Sequence, residues 1–512
     1  MLLAEVVSAS NSVAATSSRL EKVRYLAELL RRIPPDQLPI VIPFLTGSMR
    51  QGRIGVAGAT VHVMRDVPAA SSPALDVATV DEAFGQIAAA GGPGSSLTRA
   101  AALRSLFECA TQAEQDFLIR LLFGELRQGA LEGVLLDAVA RATGVAAADI
   151  RRAAMFAGDL TPVAQAVLTG GAGSLSRFTL QPFQPVQPML AESAGDVADA
   201  LKELGEASLE YKLDGARIQV HKADDEVRVY SRSLRDVTAA VPEVVTIARA
   251  IPGRSFVLDG EAIALQPNGA PRPFQVTMRR FGRKLDVERL HAELPVTPFF
   301  FDALFADGQL LVDDPLARRI AVLAERVPAE NLVTRLVTSS ADEAAAFSLR
   351  AMAAGHEGVM AKAINGGYAA GRRGQAWLKV KKARTLDLVI LAAEWGSGRR
   401  RGTLSNLHLG ARDPERGGFV MLGKTFKGLT DEVLAWQTKT FREIEIGREG
   451  ITVYVRPELV AEIAFNEIQV SSQYPGGFTL RFARVKRYRP DKTASDADTI
   501  STVRAIYESL AR

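Results

Sequence analysis

Glu210-Tyr211-Lys212-Leu213-Asp214-Gly215-Ala216-Arg217 lies where the chain changes its period. Before it, from residue 1 to about 175, apolar residues recur at three- and four-residue spacing. Leu20, Val23, Leu26, Leu29 and Leu30 form one such stripe, and Phe117, Leu118, Leu121 and Leu122 another, the pattern of amphipathic helices. After it, Ile218 and Val220, then Val227 and Val229, alternate with polar residues across Asp224-Asp225, which predicts an antiparallel hairpin. The stretch also carries a lysine, which can attack phosphorus only when its amine is neutral, so its neighbours decide whether it reacts.

Working outward, Phe256 to Leu265 and Pro298 to Phe305 read as further strands, closed by Pro267-Asn268-Gly269 and Asp307-Gly308. Helical patterns near 240–250, 314–327 and 341–354 lie between them, giving a mixed α+β domain. Upstream, three prolines in Gln181-Pro182-Phe183-Gln184-Pro185-Val186-Gln187-Pro188 predict an extended, stiff connector. Downstream of about Asp387, strands at 388–392, 407–411, 419–424 and 452–455, a long apolar strand at 459–468 and a helix near 431–441 suit a small β-barrel of OB type. An amphipathic helix closes the chain at 498–510. The expected architecture is multidomain: an all-α domain at 1–180, an α+β domain at 181–386 and a β-barrel OB-fold domain at 387–512.

Composition limits the chemistry. The 512 residues are 47% hydrophobic, and 62 Lys and Arg against 58 Asp and Glu give a formal charge of +4 and a pI of about 9.1. That balance permits nucleic-acid binding without requiring it. A single cysteine, Cys109, builds neither a disulfide nor a zinc cluster, and five scattered histidines make no zinc triad. The absence of a basic leader with an apolar core, and of a long apolar run, predicts a cytoplasmic protein with no membrane partner. In the helical part, Gly47-Ser48-Met49-Arg50-Gln51-Gly52 is echoed by Gly124-Glu125-Leu126-Arg127-Gln128-Gly129. Each copy could present a cation and backbone N–H groups to a phosphate backbone, or simply end a helix.

Several stretches together resemble the ordered motifs of covalent nucleotidyltransferases, and ATP-dependent DNA ligases most closely, over residues 40 to 495. They are the opening stretch, Tyr230-Ser231-Arg232, Asp259-Gly260-Glu261, Phe299-Phe300-Phe301-Asp302, Glu357-Gly358-Val359-Met360-Ala361-Lys362, Trp377-Leu378-Lys379-Val380-Lys381-Lys382, and the cation-rich run from Leu480 to Lys492. The resemblance implies that Lys212 is the adenylated nucleophile. Glu210, on the same strand face, would read the adenine amino group, Arg217 the ribose or the nick phosphate, and Arg232 the nucleotide phosphate. Glu261 would bind ribose or Mg²⁺, with Glu357 as a second metal-facing carboxylate and Lys362 beside it. Phe301 would stack on adenine, Arg373 matches a further nucleotide-binding position, and Lys379 and Lys381 would reach the α-phosphate. Arg481, Arg484, Asp491 and Lys492 would orient the pyrophosphate, while Arg50 and Arg127 would meet the DNA backbone.

The implied cofactors are ATP and Mg²⁺, with Mn²⁺ as substitute, and the implied partner is nicked double-stranded DNA, met in replication, repair or recombination. A chain that wraps its substrate is expected to be a monomer, in the cytoplasm and nucleoid-associated when on DNA. The helical domain with its repeated Gly-x-x-Arg-Gln-Gly opposes an RNA ligase or capping enzyme. Retention of Lys212, Glu261, Glu357, Lys379 and Lys381 opposes a non-catalytic clamp. One cysteine opposes the NAD⁺-dependent branch, whose zinc module needs four.

Overall fold

The computed structural model of the chain describes residues 1–52, 54–124, 126, 132–281, 287–369, 373–381, 384–397 and 400–511. Up to Arg177 the described elements are helical, from Leu3–Ala15 to Leu160–Gly170 and a short 3₁₀ segment, Ala172–Arg177. Local chemistry starts several of these helices. Ser18 accepts from the Glu21 N–H, Asp76 and Asp159 cap in the same way, and Thr111 with Glu114 forms a capping box. Phe44, Phe84, Phe107 and Phe117 fill one core. Leu20, counted in the apolar stripe, is instead 76% exposed.

The two glycine-flanked repeats meet in space. Gly47 ends the helix Leu38–Thr46 at φ 81°, and Gly124 follows Gln112–Leu122 at φ 66°, both left-handed positions that favour glycine. A side chain added at Gly47 would lie 3.8 Å from Leu126 of the second copy. Arg50 pairs with the buried Asp81, and Gln51 donates to the Asp81 carbonyl and carboxylate at 2.9 Å. Arg127 and Gln128 lie outside the described residues.

The proline-rich connector is bound along its length rather than free-standing. Phe183 N–H donates to His221 Nδ1 at 2.9 Å, so the ring proton sits on Nε2 and donates to Gln219 Oε1 at 2.8 Å. Burial pushes His221 down to about 3, which keeps it neutral. Val186 exchanges both backbone bonds with the Gln219 amide, Tyr230 OH donates to the Phe183 carbonyl, and Gln187 N–H donates to Met155 of the helical domain. Met155 and Phe156 then share an apolar cluster with Val257, Leu304, Tyr368 and Trp377 of the next domain.

The middle of the chain builds two five-stranded sheets. One contains Leu190–Ser193, Arg373–Lys381, Gly358–Ala363, Ala207–Tyr211 and Arg335–Thr338, in that spatial order. The other orders Glu226–Ser231, Ala216–Ala223, Ser255–Ala264, Val296–Ala306 and Gln309–Leu310. The expected hairpin across Asp224-Asp225 is present, with Val220 opposite Val229.

The C-terminal β-sheet takes up the chain at Arg384. Its long strand Arg384–Trp395 pairs with Val460–Phe465 through its first half and with Leu404–Arg412 through its second. The single strand expected at 459–468 is broken at Asn466. Val460–Phe465 pairs with Arg484–Tyr488, whereas Glu467–Val470 pairs with Phe478–Arg481. A mostly apolar run, interrupted only by Glu462, Asn466 and Glu467, therefore spans a change of partner, which period alone cannot register. The helices Asp431–Glu443 and Ile500–Ala511 complete this part.

Candidate active site

The site lies between the facing surfaces of the two middle sheets. Alternation and register decide what each surface carries. On the first sheet, Ser208 lies opposite Lys362, Lys362 opposite Trp377, Glu210 opposite both Met360 and Arg335, and Met360 opposite Lys379. The intervening residues, Leu209, Val359, Ala361, Leu378 and Val380, form an apolar cluster on the other side. On the second sheet Arg217 lies opposite Glu261. Within the three-phenylalanine run, Phe300 is fully buried in the core, while Phe301 turns towards Arg217, Lys362 and Trp377.

Lys212 follows directly on the strand Ala207–Tyr211 and is pinned by backbone bonds on both sides. Its N–H donates to the Gly358 carbonyl at 2.9 Å, and its carbonyl accepts from Glu357 N–H at 3.3 Å. Its ammonium pairs with Glu357, which also holds Lys381 at 2.6 Å. Burial pulls Lys212 towards the neutral amine, but Glu357, with Asp214 and Glu261 behind it, outweighs burial and leaves Lys212 above the ordinary lysine range. Burial lowers Lys381, helped by the Lys212 charge. Burial also pushes Glu261 up to about 7, against Lys212 and Arg217, while its carboxylate accepts from Gly215 N–H at 3.1 Å. Gly215 has no room for a side chain: a Cβ there would lie 2.4 Å from the Ala262 carbonyl.

Arg217 is locked by several partners. It grips Asp259 with Nε at 3.0 Å and Nη2 at 2.6 Å, and donates to the Met189 carbonyl at 2.7 Å. Tyr368 OH donates to Asp259 at 2.8 Å and accepts from Met189 N–H at 3.0 Å. Asp259, Tyr368, Met189 and Arg335 had no assigned role from sequence. Asp259 stands in a quoted motif, but the others carry no local signal. Lys362, expected beside Glu357, sits instead with Glu210 at the opposite end of the face, 2.5 Å from its carboxylate.

From the C-terminal sheet, Arg481 reaches Asp214 at 3.0 Å and Glu467 at 3.4 Å, and lies 3.7 Å over the Phe274 ring. The other residues of that run are elsewhere. Arg484 is exposed, Asp491 pairs with Arg489, and Lys492 holds Asp387 at 2.5 Å. Arg232 is exposed in the turn after Glu226–Ser231, and Arg373 opens its strand with a side chain outside the described set.

Hard carboxylate oxygens from Glu261 and Glu357 lie close to Lys212. This donor set fits a small divalent cation. Among the described residues no three His, Cys, Asp or Glu side chains converge to hold one alone, so phosphate oxygens would have to complete its shell.

Three family models match the chain in order: the DNA ligase N terminus at 56–140, the ATP dependent DNA ligase domain at 188–381 and the ATP dependent DNA ligase C terminal region at 400–492. A probable DNA ligase of Anaeromyxobacter dehalogenans is 61% identical over 99% of this chain and 100% of its own length. Another, from Mycobacterium marinum, is 55% identical over 99% and 100%. The solved structure Pmar-Lig_PreS3 is 18% identical with a TM-score of 0.63, covering 94% of this chain and 99% of its own, a likeness of fold.

Proposed function

Because the chain belongs to the ATP-dependent DNA ligase family, we propose that it seals nicks in duplex DNA with Lys212 as the nucleophile. The observation that carries this is the half-buried Lys212 pinned against Glu357, with Lys381 on the same carboxylate and Glu261 behind. The Lys212 amine attacks the α-phosphate of ATP, forming a P–N bond as pyrophosphate leaves. AMP then passes to the 5′-phosphate of the nick, and the 3′-hydroxyl displaces it to close the phosphodiester. Such transfers depend on positioning and charge neutralisation.

Lys379 and Lys381 neutralise the α-phosphate, Arg217 holds the ribose or the phosphate of the nick, Arg373 contributes to nucleotide binding, Arg232 holds a phosphate, Phe301 stacks on adenine and Glu210 meets its amino group. Glu261 and Glu357 would hold Mg²⁺, or Mn²⁺, which supplies charge neutralisation at the phosphates. The helical domain, residues 1–180, binds DNA; 181–386 is the adenylation domain; 387–512 is an OB-fold. The protein works as a cytoplasmic monomer, nucleoid-associated on DNA. No helix among the described residues is long and apolar enough to cross a membrane. Incubation with Mg²⁺ and α-labelled ATP or labelled NAD⁺, followed by a chase with nicked DNA or nicked RNA, tests this reading. Label taken from NAD⁺ alone, or sealing confined to RNA, would overturn it.

Arg481, with Arg484, Asp491 and Lys492 in the same run, orients the pyrophosphate when the C-terminal domain covers the site. Its bond to Asp214, two residues from Lys212, supports that reading. Arg481→Ala is expected to slow self-adenylation by about 100-fold. Sealing of a pre-adenylated nick, from which pyrophosphate has already gone, should be unchanged. Equal losses in both assays would refute the role.

Arg50, half exposed although paired with Asp81, and Arg127 face the DNA backbone. Replacing both with alanine should weaken nick binding and make the slope of log K against log salt shallower by about 2, since each phosphate contact contributes roughly 0.9. Self-adenylation should not change. An unaltered slope would leave Arg50 as a brace for the helix end.

A further inference from the structure

The buried hydroxyl of Tyr368 joins three parts of the molecule. It donates to Asp259 at 2.8 Å and accepts from Met189 N–H at 3.0 Å and Arg217 Nη2 at 3.3 Å, which fills its one donor and both acceptor positions. Its ring meets Trp377 edge-on, with centroids 5.8 Å apart. The same partners hold Arg217. Asp259 takes Nε–H and one Nη2–H, Tyr368 takes the other Nη2–H, and the Met189 carbonyl takes one Nη1–H. Of the five guanidinium N–H groups, one on Nη1 is left without a partner among the described residues.

Tyr368 is itself held by the helical domain. Met155 and Phe156, both buried in the helix Ala147–Ala157, pack in one apolar cluster with Met189, Val312, Tyr368 and Trp377. Beside them Arg152 pairs with Asp313 at 2.7 Å, and the carbonyl of the preceding Val312 accepts the Tyr368 N–H at 2.7 Å. The Met155 carbonyl also accepts from Gln187 N–H at 3.1 Å, two residues before Met189. Backbone and hydroxyl of Tyr368 are both tied to the helical domain through short stretches of chain. The exposed Arg152–Asp313 pair contributes little to that hold, and the burial of Met155 and Phe156 contributes more.

We infer that Tyr368 is a positioning residue for Arg217, and that the helical domain, by packing Met155 and Phe156 behind it, supports the nucleotidyl-transfer chemistry directly. A single remaining N–H meets a substrate oxygen only when the guanidinium is aimed, and a misplacement of about 1 Å costs on the order of 100-fold in rate. The Tyr368 hydroxyl sets that aim together with Asp259 and Met189. Helical-domain packing keeps the hydroxyl where it can do so. The inference rests on the nucleotidyl-transfer reading above and gives the helical domain a part in the reaction that DNA affinity does not measure.

The test compares first-order rate constants, in the full-length chain, for self-adenylation by excess ATP and for sealing of a pre-adenylated nick by excess enzyme. Such constants do not depend on the fraction of the protein that is folded. Arg217→Ala identifies the step, or steps, that use the guanidinium. Tyr368→Phe, which keeps the ring against Trp377, and Phe156→Ala should each slow the same step by about 10- to 100-fold. Combined with Arg217→Ala, neither should add more than about a further 2-fold, because a residue that acts through Arg217 then has nothing left to position. Phe156→Leu, which refills the apolar cluster, should recover most of the rate. Losses that multiply in the double variants, losses confined to a step that Arg217→Ala spares, or wild-type rates in Tyr368→Phe or Phe156→Ala overturn the inference, as does an Arg217→Ala that slows neither step. Failure of wild type to take label from ATP is a different result, and defeats the nucleotidyl-transfer reading itself.

Discussion

Lys212→Ala is expected to abolish covalent labelling by ATP and to reduce nick sealing from ATP by about 10⁴-fold or more, the scale of losing a covalent nucleophile. Lys381 is engaged with Glu357, and Lys362 is at the far end of the face beside Glu210. Sealing of a pre-adenylated nick should persist, because AMP already sits on the 5′-phosphate and the lysine has no further bond to make. The pH dependence has a definite sign. Glu357 holds Lys212 above the ordinary lysine range despite burial, so the neutral amine is scarce near neutrality and labelling should rise with pH. Label that survives in Lys212→Ala, or a labelling rate that falls as pH rises from 6 to 9, would remove Lys212 from the role.

Asp302→Ala should cause the largest loss of stability among single changes near the site. Asp302 and Arg319 are both completely buried, joined at 2.7 and 3.1 Å. The same guanidinium donates to the Asp314 carbonyl at 2.6 Å and the Gly366 carbonyl at 3.0 Å, tying the helix Leu316–Arg326 to the strand Val296–Ala306. Removing the carboxylate strands a charge in the core, at a cost of about 3–5 kcal/mol. For a domain of this size that corresponds to a fall of roughly 10 °C in its melting transition. Because Asp302 follows Phe301, KM for ATP should rise as well. Asp302→Asn, which keeps the shape and one acceptor, should lose less. A calorimetric transition for the middle domain lowered by less than about 2 °C in Asp302→Ala would show that the pair is dispensable.

Much of the fold was legible because period is local. The helical stripes before residue 175, the hairpin across Asp224-Asp225 and the alternation that sends Phe300 and Phe301 to opposite faces all follow from a few consecutive residues. Where one pattern serves two arrangements, reading by period fails. The apolar run at 459–468 looks like one strand but changes partner at Asn466, and Leu20 fits a stripe that the helix turns to solvent. The connector shows a related failure. Its prolines predict extension, but its fixing by Gln219, His221 and Tyr230 depends on a hairpin more than thirty residues downstream.

From the sequence alone came the order of helical and stranded regions and the motif residues that could carry nucleotidyl transfer, because both are written in short spacings. Only the tertiary structure decided how those residues pair. Lys362 goes to Glu210 and not to Glu357, Arg50 to Asp81, Arg217 to Asp259 and Tyr368, and Arg481 to Asp214 across 267 positions. The reason is physical. A charge buried between two sheets takes whichever counter-charge strand register and domain packing bring to it, and neither is encoded within the few residues around the charge.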